Sequence, residues 1–214
     1  MYDEGGFYSL LFVSIGEHMS KILIVGDTHM GEKSDSPKHN QQILDFFSHL
    51  CEHHSDVDKL IHLGDYFHHR SKLQLSTLNR GVEGAQMLSE TFGKENVYCL
   101  VGNHDIPTRD SLDDSSLIAI DPYVTIVDKP LSLDNCYLVP WILTDEEWDN
   151  AVNQGKNHDY MFAHLELNGF RMNDHYIMEY GKSGKELRDY VKVFTGHYHS
   201  YQEQDNIIYT GTPI

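Results

Sequence analysis

The chain has little cysteine and little positive charge, and each shortage argues against a class of protein. Its three cysteines, Cys51, Cys99 and Cys136, are far apart, and none forms the C-x-x-C pair typical of thiolate zinc sites or redox motifs. Such thiols are expected to be small buried side chains in a protein of the reducing cytoplasm. Lysine and arginine number 16 against 33 acidic residues, which leaves a formal net charge of −17. A broad basic face that grips nucleic acid is therefore not expected.

Long apolar runs are also missing. The apolar stretch at 7–15 is too short to span a bilayer. It also lacks the basic start and the small-residue cleavage site of a signal peptide. Met19 begins a segment that leads directly into a predicted strand. We therefore expect residues 1–18 to be a non-native or disordered N-terminal extension. Residues 19–214 should form one domain, because no repeat, low-complexity tract or linker divides them.

Short apolar runs that end in glycine and a polar residue recur along the first hundred residues. They predict strands at 21–25, 59–63 and 97–101, separated by helices at 39–53 and 75–92. This β-α-β-α-β order predicts parallel neighbouring strands, because the crossovers are right-handed. Beyond residue 120 we expect mixed or antiparallel pairing among short strands, with one helix at 144–153. These later strands are predicted at 124–127, 131–133, 137–139, 160–163, 191–195 and 207–209.

Groups that bind metal ions follow five of these strands. Carboxylate, carboxamide and imidazole together suit Mn²⁺, Fe²⁺ or Zn²⁺. Alternate residues at the end of a strand project to the same side, so Asp-x-His and His-x-His can each direct two ligands to one centre. A single histidine after a strand is more often a surface residue, but five such segments together predict a metal site. The segments are Asp27-Thr28-His29, Gly64-Asp65, Gly102-Asn103-His104-Asp105, His164 and Gly196-His197-Tyr198-His199.

Taken in order, these segments resemble the D-x-H, G-D, G-N-H-D/E, H and G-H-x-H blocks of the calcineurin-like metallophosphoesterases. The resemblance runs from about residue 21 to the C-terminus. It implies an α/β fold of four layers, in which two mixed β-sheets are flanked by helices and the site lies along one edge. It also implies two divalent cations, expected to be Mn²⁺, that activate water for attack on a phosphoester.

The resemblance assigns a role to each matching residue. Asp27, His29 and His199 would bind the first metal ion. Asn103, His164 and His197 would bind the second, and Asp65 would bridge the two. His104 is then the catalytic residue that contacts the scissile phosphate and protonates the leaving group.

Other segments narrow the substrate. Gly64-Asp-Tyr-Phe-His68 is similar to the G-D-x-F-H of SbcD-type nucleases and unlike the G-D-x-V-D-R-G of protein phosphatases, so His68 is expected to be catalytic by positioning DNA. His69 has no counterpart and is expected to be solvated. Further short segments are similar to T-even phage recombination nucleases of this type. They are Asp128-Lys-Pro130, Val139-Pro-Trp141, the stretch from His164 to Gly169, and Gly211-Thr-Pro213.

This likeness implies a DNA nuclease of recombination and repair. It would be a 3′-to-5′ exonuclease on duplex DNA and an endonuclease on single strands, in the cytoplasm of a bacterial or phage-infected cell. Its expected partners are DNA and an SbcC-type ATPase subunit, with no membrane, and a homodimer is left open. Relatives continue past their Gly-Thr-Pro, so we expect a C-terminal truncation and a 19–214 nuclease domain without the capping domain.

Two alternatives remain. One is a small-substrate phosphodiesterase or phosphatase with the same metals, favoured by the acidic composition and the missing cap. The other is a catalytically silent scaffold, which the complete ligand set disfavours. Trp141 and Trp148 are expected to pack in the core, and Arg70, Lys72 and Arg109 are expected to be solvated charges.

Overall fold

The computed structural model describes residues 11–15, 20–108, 111–112, 114–173 and 175–214. Strand β2 (Ser20–Val25) shows why the fold has layers on both sides of a sheet. Ile22 and Ile24 pack on one face of the strand, whereas Leu23 and Val25 pack on the other. Successive side chains point to opposite faces of a strand, so an all-apolar strand must be covered on both sides.

The first sheet has the order β1-β2-β3-β4-β5. Strands β2 to β5 are parallel, as predicted for the first three of them, and β1 pairs antiparallel with β2. Its other strands are β1 (Leu11–Ile15), β3 (Lys59–His62), β4 (Val97–Leu100) and β5 (Thr125–Val127). The chain segments between these strands contain the single turn α1 (Glu32–Asp35) and the helices α2 (Pro37–His53) and α3 (Leu75–Phe92).

The second sheet has the order β12-β13-β11-β8-β7-β6. Its four inner strands are parallel and both edge strands are antiparallel, which confirms the mixed pairing. The strands are β6 (Leu131–Leu133), β7 (Cys136–Val139), β8 (Tyr160–His164), β11 (Lys192–Gly196), β12 (Gln202–Gln204) and β13 (Ile207–Tyr209). Helix α4 (Asp145–Gln154) starts at a capping box between Thr144 and Glu147. A short hairpin lies outside both sheets, β9 (Arg171–Asn173) with β10 (Tyr176–Ile177).

Three apolar clusters hold the layers together. Ile24 and Leu100 of the first sheet meet Phe162 and Phe194 of the second in a shared core. The other face of the first sheet packs against α2 and α3, and the other face of the second sheet packs against α4. The expected four-layer α/β fold, with two mixed sheets flanked by helices, is confirmed.

The structure differs from the predictions at the N-terminus and at β5. Part of the stretch 1–18, expected to be an extension, is strand β1, because its apolar residues pair along β2 from Leu11↔Ile24 to Ile15↔Ser20. Residues 1–10 and 16–18 lie outside the described residues, as does Arg109. Strand β5 is also parallel and joins the first sheet. All three cysteines are free. Among the helices of the described residues, none has both the length and the apolar character needed to cross a membrane.

Candidate metal centre

The five polar segments meet at one edge, where strands β2, β3, β4, β8 and β11 end. Parallel pairing explains this, since Val25 lies beside His62 in one sheet and Gly196 lies beside His164 in the other. Side chains that follow parallel strands emerge at the same edge of a sheet. The shared core between the sheets brings the two sets of strand ends together.

One group of side chains consists of Asp27, His29 and His199. Each offers one ligand atom, and these atoms lie within 4.8 Å of one another. The two ring nitrogens Nε2 of His29 and His199 face each other at 2.9 Å. Asp27 and His29 are buried, with 1% of each exposed. Burial lowers the pKa of His29 well below its usual range, which favours the neutral imidazole that metal ions require.

A second group consists of Asp65, His164 and His197, with ligand atoms again within 4.8 Å. Asn103 belongs to it through Oδ1, which lies 3.0 Å from His164 Nε2 and 2.8 Å from His197 Nδ1. His164 Nδ1 donates to the carbonyl oxygen of Leu63 at 2.8 Å. That bond directs Nε2 into the group, the arrangement usual for histidines that bind metal.

Asp65 lies between the two groups. Its Oδ2 is 3.7 Å from His29 Nε2 and 3.5 Å from His164 Nε2. Its Oδ1 accepts a hydrogen bond from the backbone N–H of His104 at 2.7 Å. One carboxylate oxygen is therefore held by the backbone, while the other faces both groups.

Backbone strain concentrates at this site. His29, Asp65 and His197 have φ values of 49°, 52° and 96°, in the left-handed region that costs ordinary residues energy. The backbone also approaches the carboxylates closely. A Cβ added at Gly196 would lie 2.3 Å from Asp27 Oδ1, and one added at Gly102 would lie 2.3 Å from Asp65 Oδ1. These two glycines are needed for space.

The electrostatics of the site fit a cation. Asp27 Oδ1 is buried and has no hydrogen-bond partner, and His164 Nδ1 lies 3.9 Å from it. A buried carboxylate oxygen that accepts no hydrogen bond is costly to ionise unless a cation neutralises it. Burial raises the pKa of Asp27 to about 8, and the nearby Asp65 carboxylate adds to the rise. Burial opposes a charge on His164, but the carboxylates of Asp65 and Asp27 raise the pKa of His164 to about 9. In the metal-free protein, protons therefore bind strongly to groups that a bound metal ion would otherwise neutralise.

His104 and His68 lie beside the first group. Their rings stack with centroids 5.2 Å apart, and His104 Nδ1 donates to the backbone oxygen of His68 at 2.7 Å. His68 Nδ1 lies 3.4 Å from His29 Nδ1. Together with His29 these two histidines form a third group whose geometry could hold an ion.

Asp105 and His69 have structural contacts of their own. The Asp105 carboxylate accepts hydrogen bonds from the backbone N–H groups of Phe67 and Gly102, at 3.1 and 2.9 Å, which ties two motif loops together. His69, expected to be solvated, has a side chain that is 37% exposed and also contacts Asp35, with Nε2 3.3 Å from Oδ2. The left-handed backbone of the turn α1 brings Asp35 there.

Sequence reasoning missed Glu166. Its Oε1 lies 3.8 Å from His197 Nε2, on the side of that ring away from Asn103. The alternation of side chains in an extended segment could have predicted it, because Glu166 follows His164, the last residue of β8, by two positions and should lie on the same side.

Residues 20–210 match the family model for calcineurin-like phosphoesterases. The chain belongs to the calcineurin-like phosphoesterase family. Metallophosphoesterases of this family use centres of two metal ions, and the His and Asp groups at the strand ends could bind such ions. The chain is a phosphoesterase by family.

Two viral proteins are similar to this phosphoesterase in sequence. Exonuclease subunit 1 of Enterobacteria phage T4 is 29% identical over 204 residues, which cover 90% of this chain and 59% of the phage protein. Putative phosphoesterase 244L of Invertebrate iridescent virus 6 is 27% identical over 216 residues, which cover 91% of this chain and 70% of that protein. The chain thus spans well under two thirds of the length of the phage exonuclease subunit.

Two solved structures are also similar to this phosphoesterase. The nuclease MPE of Pseudomonas putida has a TM-score of 0.45 and 21% identity, and the match covers 83% of this chain and 61% of that one. The purple acid phosphatase PPD1 of yellow lupin has a TM-score of 0.48 and 15% identity, and the match covers 84% of this chain and 38% of that one.

Proposed function

We propose that this protein is a two-metal phosphodiesterase that cleaves DNA, as a 3′-to-5′ exonuclease on duplexes and an endonuclease on single strands. The observation that carries the proposal is the position of Asp65 Oδ2 between two histidine-containing groups, 3.7 Å from His29 Nε2 and 3.5 Å from His164 Nε2. A carboxylate oxygen shared by two groups suits a pair of cations held close together.

Seven side chains would hold the cations. Asp27, His29 and His199 would bind one, and Asn103, His164 and His197 the other, with Asp65 bridging. When bound, two cations, in our proposal Mn²⁺, acidify water and neutralise the charge that develops on phosphorus oxygens. The protein holds its ligands rigidly, because the backbone fixes Asp65 Oδ1 and the carbonyl of Leu63 fixes the His164 ring.

His104 would act on the leaving group. Its Nδ1 is occupied by the backbone oxygen of His68, which leaves Nε2 as the nitrogen available to substrate. Its backbone N–H is bonded to Asp65, so the ring stays at a set position relative to both metal groups. We expect Nε2 to contact the scissile phosphate and to protonate the departing oxygen. The stacked ring of His68 would position the substrate next to it.

A groove beside these two histidines favours a nucleic acid over a small phosphoester. It encloses about 410 Å³ and is lined by His68, His69, Arg70, Ser71, Lys72 and His104. Two cationic side chains, Arg70 and Lys72, belong to its lining, and a longer substrate could place a neighbouring phosphate beside them. A local basic groove lets an otherwise acidic protein bind a polyanion.

The closing test of this function compares two substrates. The assay is Mn²⁺-dependent hydrolysis of a 3′-labelled duplex and of bis-p-nitrophenyl phosphate, by the wild type and by His104→Ser. Degradation of the duplex by the wild type and its loss in the variant would support the nuclease. Cleavage of the small diester alone would favour the small-substrate phosphodiesterase or phosphatase. Inactivity on both substrates would favour the catalytically silent scaffold.

The groove has a test of its own. The double variant Arg70→Gln, Lys72→Gln should raise KM for DNA and reduce the salt dependence of binding by a slope of about 2, since each lost phosphate contact removes about 0.9. Its kinetics on bis-p-nitrophenyl phosphate should not change. The matched control is Lys59→Gln, Lys94→Gln, which removes two charges near the starts of β3 and β4, at the other ends of these strands.

We also propose a partner and a cellular location for this protein. The phage relative is named as one subunit of an exonuclease, and we propose a partner of the SbcC ATPase type in the cytoplasm of a bacterial or phage-infected cell, in recombination and repair. A homodimer is compatible with this role. Co-purification of the tagged chain with such an ATPase from cells that express both would test the assembly.

A further inference from the structure

A second hollow, here called the tryptophan cleft, borders the metal groups on the side of His164. It encloses about 360 Å³, within the range of ~300 to 1,000 Å³ usual for small-ligand pockets. Its walls come from the loop after β7, helix α4, the end of β8 and the segment before residue 184. The residues that matter to its chemistry are Trp141, Trp148, His164, Glu166, Gly181 and Lys182.

Two indole rings form the apolar part of the cleft. Trp141 is partly exposed, and its ring lies 5.2 Å from that of His197 and 5.9 Å from that of His164. Its backbone N–H donates to the oxygen of Val101 at 2.8 Å, which fixes it beside the metal groups. Trp148 is 2% exposed. A planar aromatic surface next to a phosphate-handling site suits a planar ring in the substrate.

Two charged side chains form the polar part. The Glu166 carboxylate lines the cleft and, with Oε1 3.8 Å from His197 Nε2, retains further acceptor sites on its two oxygens. Lys182 is a donor whose Nζ lies 5.7 Å from the Trp148 ring centroid and pairs with Asp145. Nucleobase edges present N–H donors and oxygen or nitrogen acceptors side by side, and would match both groups. A bare phosphate would be repelled by Glu166.

We propose that the tryptophan cleft holds a nucleobase next to the scissile phosphate, with the base stacked on Trp141 and its edge facing Glu166 and Lys182. This inference rests on the proposed function and names the part of the DNA that this side of the site takes. Stacking accepts every base. The cleft therefore selects for the presence of a base and not for one sequence.

Binding to the Mn²⁺-loaded protein tests the cleft without any reaction. The probes are deoxyguanosine 5′-monophosphate and deoxyribose 5-phosphate, which share a sugar phosphate and differ in the base. Both tryptophans of the chain line the cleft, so the nucleotide should quench their fluorescence saturably and the base-free probe should not. Calorimetry should show that Trp141→Leu weakens nucleotide binding about tenfold, the order expected for one stacking side chain.

Two lysines provide a matched pair for the polar edge. Lys182→Met should weaken nucleotide binding. Lys192 is the control, because it is likewise paired with a carboxylate, that of Glu203. Lys192→Met should leave nucleotide binding unchanged, since Lys192 lies at the start of β11, at the end of that strand far from the site. Equal binding of both probes by the wild type, or nucleotide binding that Trp141→Leu leaves unchanged, would overturn the proposal.

Excision of a 3′-terminal nucleotide separates this inference from the nuclease itself. The wild type should remove an intact nucleotide about tenfold faster than an abasic one in the same oligonucleotide, and Trp141→Leu should bring the ratio close to one. If DNA is cleaved without any preference for a base, the cleft proposal is overturned and the nuclease stands. If the nucleotide is preferred in binding while no DNA is cleaved, the nuclease fails and the cleft stands as a nucleotide site.

Discussion

The backbone N–H of His104 donates a 2.7 Å hydrogen bond to Oδ1 of Asp65. This bond joins the residue proposed to act on the leaving group to the carboxylate proposed to bridge the cations. Because Oδ1 is occupied, Oδ2 is the oxygen that faces His29 and His164. Substitution of His104 should therefore affect the chemical step, whereas substitution of Asp65 should affect metal binding.

Asp65→Asn should abolish the stabilisation that Mn²⁺ gives. Its amide oxygen can still accept from His104, but it lacks the charge that two cations require. Thermal melting with and without Mn²⁺ measures this. The wild type should gain about 2.7 kcal/mol for each bound ion when the ion is present at 100 times its Kd, and the variant should gain close to none.

A second buried aspartate is the control for that experiment. Asp105→Asn replaces one carboxylate acceptor of the Phe67 and Gly102 N–H groups with an amide, which should cost about 1–3 kcal/mol of stability. Its stabilisation by Mn²⁺ should remain. A Mn²⁺ response that survives in Asp65→Asn would remove Asp65 from the ligand set.

His104→Gln should lower kcat by roughly 10² to 10⁴, the usual contribution of general acid catalysis. Its melting temperature should rise with Mn²⁺ as in the wild type, because His104 is not among the seven proposed ligands. Steady-state kinetics on bis-p-nitrophenyl phosphate check the first part. His158→Gln is the control, because His158 lies beside Tyr137 and away from the site. It should leave kcat unchanged, and a fall in kcat equal to that of His104→Gln would mean that the effect is not specific.

The stabilisation by Mn²⁺ should grow as the pH rises. Burial raises the pKa of Asp27 to about 8 and that of Asp105 to about 7, above their usual value of 3.8. An acid with a raised pKa contributes stability that is fully present below pH 3.8 and is lost as the pH rises through its folded-state pKa. Over pH 5.5 to pH 8 these protons are lost from the folded protein and cations can replace them. The metal-free protein itself should weaken only above about pH 7, where histidines such as His29, whose pKa burial lowers, are neutral in both the folded and the unfolded state.

Melting curves in EDTA and in Mn²⁺ across this range measure the effect. The difference between the two curves should be larger at pH 8 than at pH 5.5. In Asp27→Asn the loss of stability above about pH 7 in EDTA should become smaller, because one of the groups that loses its proton has been removed. A constant difference across the range would contradict the electrostatic account of the site.

Gly196→Ala should disrupt the first metal group. A Cβ at this position would lie 2.3 Å from Asp27 Oδ1 and 3.0 Å from His164 Nδ1, so the carboxylate must move. Calorimetry should show Mn²⁺ affinity reduced by at least tenfold. Gly169→Ala is the comparison. Its added Cβ meets nothing within 4 Å, but its φ is +83°. It should lose about 1–2 kcal/mol of stability from that backbone and keep its Mn²⁺ affinity.

Much of the framework follows from local pattern. Helix 75–92 was predicted with the bounds that the structure has, and the predicted strand at 207–209 matches β13. Apolar runs ending in Gly-Asp, Gly-Asn or Gly-His place polar groups at strand ends, and parallel pairing brings those ends to one edge. That is why the candidate ligands could be chosen from the sequence.

The remaining features depend on contacts between distant residues. Strand β1 is recognisable only through its pairing with β2, because its apolar residues also fit an extension. The hairpin β9–β10 is short and exposed, so it has little hydrophobic alternation. Arg70, Lys72 and Trp141 resemble ordinary surface or core residues in the sequence. Their places in a groove and a cleft come from how the loops pack.

The central claim is that seven side chains hold two cations with Asp65 between them. The most direct test is an anomalous difference map from crystals of the protein grown with Mn²⁺. The account predicts two peaks about 3.5–4 Å apart, one beside Asp27, His29 and His199 and the other beside Asn103, His164 and His197, both in contact with Asp65. A single peak, or peaks that do not touch Asp65, would contradict it.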